Sequence, residues 1–112
     1  MCIYLLSYII INGKVRHFNH KISKVIKYKD TYIVLLEIPF DCDEINNIYC
    51  LDKKANIKWQ SEDLSKKYPK HQKLPYEYMY IEGNKIYATD FMCIQHEIEA
   101  ESGKILGCKL MK

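Results

Sequence analysis

The sequence has few residues that break regular structure and none of the short motifs that mark common catalytic sites. Four glycines and three prolines occur in 112 residues, which argues against disordered or low-complexity segments. No phosphate-binding loop, dinucleotide fingerprint, nucleophile elbow, zinc ribbon or HExxH motif is present. We therefore predict one folded domain over residues 1–112 that is not an enzyme and carries no cofactor or metal.

Paired cysteines are also lacking. The chain has five cysteines, an odd number, and no CxxC pair. They are scattered along the sequence as Cys2, Cys42, Cys50, Cys93 and Cys108. This pattern favours a reducing, cytoplasmic location, and Cys50, inside an apolar strand pattern, is expected to be a small core residue.

Long hydrophobic runs are absent as well. Met1–Ile11 is apolar apart from Ser7, but a membrane-spanning helix needs about 20 residues. The segment also lacks the basic start and small-residue cleavage site of a signal peptide. We predict that it forms one buried strand and that the protein makes no membrane contact.

The charge is mild. A net charge of +3 with neutral histidines does not imply nucleic acid by itself. Basic residues crowd between Lys14 and Lys29 with Phe18 and Tyr28 interleaved, and such a segment can bind a single strand by stacking and phosphate contact. A solvated strand face explains the same residues, so weak single-stranded nucleic-acid binding is the less favoured alternative.

The residues that are abundant favour β-structure. Ten tyrosines and many isoleucines stand beside scarce alanine, and β-branched and aromatic side chains suit a pleated surface. Alternation and turn signals predict an all-β antiparallel meander of about nine strands, without a convincing helix, that forms a curled sheet, sandwich or barrel. Asn12-Gly13 is the strongest hairpin signal. A basic loop, Ser61–Pro75, separates repeat-like halves at about 24–60 and 76–111.

The most regular feature is a hairpin between Ile48 and Gln60. Asp52 is expected to accept hydrogen bonds from the backbone N–H groups that follow it, and Asn56 tolerates a positive φ. Trp59 anchors the end of the second strand. A similar plan returns at Glu99–Gly107, with a turn at Ser102-Gly103-Lys104.

These two segments resemble the repeat of PQQ-like (quinoprotein-type) β-propellers, in which an Asp, a Thr-Gly turn and a Trp recur in that order. Asp52, Trp59 and Gly103 match as structural anchors. The chain departs from the pattern at four places: Asn56 for the usual Gly, Trp59 one residue early, Glu99 for the Asp and Gly107 for the second Trp. The resemblance implies two partial blade-like units and no bound quinone, since most proteins with such repeats bind none. Propellers use about 4–8 blades, so two blades would leave open edges.

Binding is the function that the sequence favours. Tyr76, Tyr78 and Tyr80 are predicted on one strand face and, with Tyr49, Tyr87 and Trp59, could line a groove or an interface. The alternative is that these aromatic residues lie at the edge of the hydrophobic core, with their rings buried and the tyrosine hydroxyl groups in contact with water. The basic loop adds Lys66, Lys67, Lys70 and His71. We predict a binding or scaffolding domain with a protein partner or a self-associated dimer; a small-ligand binder, by propeller analogy, is the alternative.

Candidates for metal binding and catalysis are weak. His17 and His20 are three residues apart and fall on opposite faces of a strand. The acidic run Asp41–Glu44 beside Cys42 is expected to be a solvated loop, because it lacks a calcium-loop pattern. Cys42 and His71 form the best loop-borne reactive pair, but nothing in the sequence brings them together.

Overall fold

A computed structural model describes residues 2–69 and 74–110. These residues form eleven strands and one short helix. The elements are β1 Cys2–Leu5, β2 Tyr8–Ile11, β3 Lys14–His17, β4 Lys21–Tyr28, β5 Thr31–Glu37, β6 Ile48–Leu51, β7 Ile57–Gln60, α1 Leu64–Lys67, β8 Tyr76–Glu82, β9 Lys85–Asp90, β10 Ile94–Glu99 and β11 Ile105–Leu110.

The strands form three sheets, each an antiparallel meander of consecutive strands. The first sheet contains β1–β3, the middle sheet β4–β7 and the last sheet β8–β11. The predicted all-β antiparallel architecture is confirmed, with eleven strands in place of about nine. None of these described sheets closes into a barrel. No helix within residues 2–69 and 74–110 is long and apolar enough to cross a bilayer.

The middle sheet is covered on both faces, which makes the fold a layered sandwich. Ile33, Leu35 and Cys50 belong to a core shared with the last sheet, whereas Val34 and Leu36 belong to a second core shared with the first sheet. Both sets alternate along β5, so six consecutive positions of this strand are buried. A continuous apolar run is typical of a strand packed on two sides. Cys50 is a core residue as predicted, and burial raises the pKa of its thiol.

The prediction that Met1–Ile11 forms one buried strand is wrong. Met1 lies outside the described residues, and the rest divides into β1 and β2 around a turn where Leu6 has a φ of 53°. Ile9 and Ile11 are buried, but Ile3 is more than half exposed. The first sheet packs on the middle sheet with one face only, so its other face and its edge strand β1 stay in solvent.

Two of the predicted hairpin turns are present. Asn12 and Gly13 both have positive φ, at 49° and 83°, as a type I′ turn requires. The Asp52 carboxylate accepts hydrogen bonds from the backbone N–H groups of Lys54 and Asn56, at 2.8 and 2.9 Å, which lower its pKa. The positive φ expected at Asn56 falls instead on Ala55, one residue earlier. The Asn56 carbonyl closes the turn by accepting the Asp52 N–H.

Trp59 joins the middle sheet to the last one. Its Nε1–H donates to the Ala100 carbonyl at 3.1 Å, and its ring covers Gly103 in the β10–β11 turn. The three predicted anchors, Asp52, Trp59 and Gly103, therefore occupy structural positions.

Asn47 makes a second, buried connection between these sheets. Its side-chain NH₂ donates to the carbonyls of Leu36 and Tyr76, at 2.7 and 2.8 Å, and its oxygen accepts the Tyr76 N–H at 2.9 Å. The amide thus fixes the beginning of β8 against the end of β5.

Candidate binding groove

A cavity of about 550 Å³ opens at one end of the molecule, beside α1 and the last sheet. This volume lies within the usual range for ligand sites, about 300–1,000 Å³. Its walls are mainly apolar. They are formed by Leu64, Tyr68, Leu74, Asp90, Met92, Ile94, His96, Cys108, Lys109 and Leu110.

Local hydrogen bonds hold the walls of this cavity. Asp63 caps α1 by accepting the Ser65 N–H. The side-chain oxygen of Asn46 accepts the Leu64 N–H at 3.1 Å, and the Leu64 side chain is buried in the core. On the opposite wall, the buried Asp90 carboxylate accepts the N–H groups of Met92 and Ile94, at 2.9 and 3.0 Å. The β9–β10 turn therefore has a defined shape.

His96 supplies the buried polar group of the cavity wall. The rings of Tyr76 and Tyr68 lie 5.4 and 5.9 Å from its imidazole, centroid to centroid. No described residue hydrogen-bonds to His96 Nδ1 or to the Tyr76 hydroxyl. Burial lowers the pKa of His96, and this effect exceeds that of the nearby Asp90 charge, which raises the pKa. The imidazole is therefore neutral near pH 7. Burial, with a contribution from Cys108, raises the pKa of Tyr68 to about 12.

A second cavity of about 300 Å³ lies on the other side of Leu74. Phe40 and Phe91 line it, and their rings meet edge to face with centroids 6.5 Å apart. We call the two cavities together the groove.

Large apolar side chains surround the mouth of the groove without being buried by it. The four rim residues, with their exposed fractions, are Phe40 at 98%, Phe91 at 61%, Met92 at 56% and Leu110 at 61%. Contiguous exposed apolar surface of this kind marks interaction sites. None of the four was predicted as a binding residue. Phe40, Phe91 and Met92 lie in turns of the structure, where polar residues are usual.

The prediction that Tyr76, Tyr78 and Tyr80 share one face of β8 is wrong for Tyr76, whereas Tyr78 and Tyr80 do lie side by side, with ring centroids 6.3 Å apart. A β-bulge lies between Tyr76 and Tyr78, so Tyr76 pairs with Asp90 and Tyr78 with Thr89. The extra residue changes the alternation: Tyr76 is 2% exposed in the core and Tyr78 is 54% exposed on the outer face. Tyr80 also lies on the outer face, where its ring stacks on Tyr87 at 5.2 Å.

The other predicted binding residues are dispersed. Tyr49 packs on Phe18 beside the first sheet, and Trp59 is in the core. Lys66 and Lys67 are exposed in the last turn of α1, next to the groove. Lys70 and His71 lie outside the described residues. The pair of Cys42 with His71 is therefore not shown; Cys42 instead lies near His20 and Glu44, the one group of potential metal ligands found among the described residues.

Comparisons with known proteins place the chain in a family. No curated protein matches it. Residues 5–110 match the family described as Domain of unknown function (DUF7957). Since this match covers nearly the whole sequence, the chain belongs to the DUF7957 family.

Proposed function

We propose that this protein is a non-enzymatic binding domain that takes an apolar segment of a partner protein into the groove. The exposed rim of Phe40, Phe91, Met92 and Leu110 carries the proposal. A small molecule confined to the larger cavity would leave Phe40 and Phe91 in water. A polypeptide segment laid across both cavities covers the rim, and buried aromatic residues at an interface contribute most of its binding energy.

The charges around the groove give the partner segment a direction. Lys109 and Asp90 line the larger cavity, but Asp90 is buried and accepts two backbone N–H groups. The exposed Lys66 and Lys67 stand next to this cavity on α1, so the exposed charges beside it are basic. Asp43 and Glu77 line the smaller cavity. An apolar segment with acidic residues beside the larger cavity complements this arrangement, because opposite charges at an interface rim speed association.

The outer tyrosine face fits a partner less well. The ammonium group of Lys24 lies 4.6 Å from the Tyr78 ring centroid and donates to the Met79 carbonyl at 2.9 Å. This face is therefore already partly covered by the protein's own side chain, whereas nothing described covers Phe40.

Two further interpretations accompany the proposal. We propose that the middle and last sheets are PQQ-like blade units; the four-stranded meanders and the Trp59–Gly103 contact support this. We also propose a reducing, cytoplasmic location, supported by five unpaired thiols.

The test is to select peptides from a displayed random library on the full chain and measure their affinity by calorimetry. We expect selected peptides to be apolar and to lose at least about tenfold in affinity for the rim variant Phe91→Ser/Met92→Ser, since central apolar contacts are worth more than about 1.4 kcal/mol. Ile94→Trp, which fills the larger cavity, should weaken binding similarly. The control, Ile3→Ser/Leu5→Ser, removes equally exposed apolar side chains on β1 and should leave the affinity unchanged.

Undiminished affinity for the rim variant would overturn the proposal. The small-ligand alternative has a different signature. A bound small molecule, seen as added mass in native mass spectrometry, would be lost from Ile94→Trp and retained by Phe40→Ser/Phe91→Ser, because neither phenylalanine lines the larger cavity.

A further inference from the structure

Three side chains with different metal-binding atoms meet at the surface between two connections. His20 lies between β3 and β4, while Cys42 and Glu44 lie in the loop between β5 and β6. His20 Nε2 is 3.0 Å from Glu44 Oε2 and 3.8 Å from Cys42 Sγ. All three donor atoms lie within 4.8 Å of one another. We propose that His20, Cys42 and Glu44 bind a divalent transition metal ion, with Zn²⁺ as the best fit.

Side-chain movements of about 1 Å or less bring the three ligand atoms close to tetrahedral spacing. Zinc bonds of about 2.0 Å to nitrogen and oxygen and about 2.3 Å to sulfur place the ligand atoms about 3.3–3.6 Å apart. The His20–Glu44 pair must open by a few tenths of an ångström and the His20–Cys42 pair must close by a similar amount. The Cys42 and Glu44 ligand atoms, which lie within 4.8 Å of each other, must close by up to about 1.3 Å. His20 lies in the three-residue β3–β4 connection and Cys42 in the ten-residue β5–β6 loop. Both are outside the strands, where such shifts cost little packing.

The orientation of the imidazole distinguishes a metal site from a catalytic relay. A cysteine nucleophile activated by histidine uses one ring nitrogen as the base and the other to contact the orienting carboxylate. Here Cys42 and Glu44 approach the same nitrogen, Nε2 of His20. Ligand atoms from three side chains therefore lie close together, which is the arrangement that a shared cation requires.

The chemistry of the three ligands selects the ion. A thiolate and an imidazole disfavour Ca²⁺ and Mg²⁺, which take oxygen ligands, and favour Zn²⁺. Binding converts the Cys42 thiol to a thiolate, and its proton passes to the solvent. Asp41 and Asp43 in the same loop add negative charge nearby. Three protein ligands leave the fourth tetrahedral position for water or an external ligand.

Cobalt titration of the full chain, kept reduced with a phosphine, tests the site. Co²⁺ reports its ligands by thiolate-to-metal charge-transfer absorption in the near ultraviolet and by strong visible bands when tetrahedral. We expect both signals to saturate at one equivalent and to disappear on addition of Zn²⁺. The charge-transfer band should vanish in Cys42→Ser. His20→Gln and Glu44→Gln should weaken Zn²⁺ binding by at least about tenfold, since even indirect ligand partners are worth 10–100-fold.

Cys93→Ser is the matched control, because Cys93 is an exposed thiol in the β9–β10 turn. It should keep the full cobalt spectrum. Zn²⁺ should also raise the melting temperature of the wild-type protein and of Cys93→Ser but not of Cys42→Ser, which is independent of the spectrum. Absence of a saturable signal, or a band that survives Cys42→Ser, would overturn the assignment. Cys42 also lines the smaller cavity of the groove, but these measurements need no groove occupant, and Phe91→Ser/Met92→Ser, which changes no metal ligand, should keep the full cobalt spectrum.

Discussion

The indole ring of Trp59 covers the α-carbon of Gly103 so closely that a Cβ there would lie 2.5 Å from Cε3 and 2.7 Å from Cδ2. The surrounding turn is also attached to the segment that leads into α1: the Glu62 N–H donates to the Gly103 carbonyl at 2.9 Å, and the Glu62 carboxylate accepts the Ile105 N–H at 2.8 Å. The Trp59–Gly103 contact and the two Glu62 hydrogen bonds therefore help to hold α1 and the last sheet, the two walls of the larger cavity, in position.

Gly103→Ala should destabilise the protein by about 2–5 kcal/mol, measured by urea unfolding. A left-handed φ costs a non-glycine residue about 1–2 kcal/mol, and displacement of a rigid, packed ring adds about 1–3 kcal/mol. Gly83→Ala is the control, because Gly83 has a φ of +61° but open space around the missing Cβ. Gly83→Ala should lose only the unfolding free energy that comes from the left-handed φ, about 1–2 kcal/mol. Equal losses of unfolding free energy in the two variants would show that the indole contact is not tight.

Asn47→Ala should cost about 3 kcal/mol or more of unfolding free energy. It leaves the Tyr76 N–H and the Leu36 and Tyr76 carbonyls without their side-chain partner, and each unsatisfied buried group costs about 1–3 kcal/mol. Asn46→Ala, at a half-buried neighbour that caps α1, should cost about 1 kcal/mol. The account of the sheet connection fails if the Asn47 variant is no less stable than the Asn46 variant.

His96 should make stability fall in mild acid. Its pKa is lowered in the folded protein by burial, so the unfolded chain binds the proton more readily. Stability from neutral His96 is complete above the ordinary pKa of about 6.5 and is lost as the pH falls through that value towards the folded pKa. Urea unfolding between about pH 7 and pH 5 should show a smaller loss for His96→Gln than for the wild type. His17→Gln, at an exposed position, should keep the wild-type slope; an unchanged slope in His96→Gln would contradict the prediction.

Reversing the charge of α1 should slow association of an acidic-flanked apolar peptide. Lys66→Glu/Lys67→Glu should lower the association rate about tenfold at low salt, and the difference should shrink as salt screens the charges. Lys14→Glu/Lys21→Glu makes the same change of net charge at exposed residues of β3 and β4. If both pairs slow association equally, the effect belongs to net charge and not to the groove.

Features that depend on local sequence could be predicted. The continuous apolar run of β5, the Asn12-Gly13 turn and the carboxylate cap at Asp52 each follow from residues a few positions apart. The bulge in β8 could not be predicted, because Glu77 carries no signal that distinguishes an extra residue from a regular one. The turn at Leu6 was missed for a similar reason: a left-handed leucine is held by its surroundings, here by the Ile22 N–H, which donates to the Leu6 carbonyl at 2.6 Å.

The candidate sites lie beyond what local patterns report. Phe40 lies in the β5–β6 loop of the middle sheet and Phe91 in the β9–β10 turn of the last sheet. Only the packing of these two sheets brings the two rings together. His20 and Cys42 are separated in the sequence by the whole of β4 and β5. The chain neighbours of each residue carry no information about contacts across the sheets, so the ligand types are visible in the sequence but their convergence is not.

Site-specific photo-cross-linking would show whether a partner protein docks in the groove. Benzoylphenylalanine at position 91 places the reactive group on the groove rim, and the same residue at position 5 places it on the exposed face of β1. After irradiation in the producing cells, we predict a discrete protein adduct from position 91 and none of that mass from position 5. The same adduct from both positions, or no protein adduct from position 91, would contradict the groove as a docking site for a partner protein.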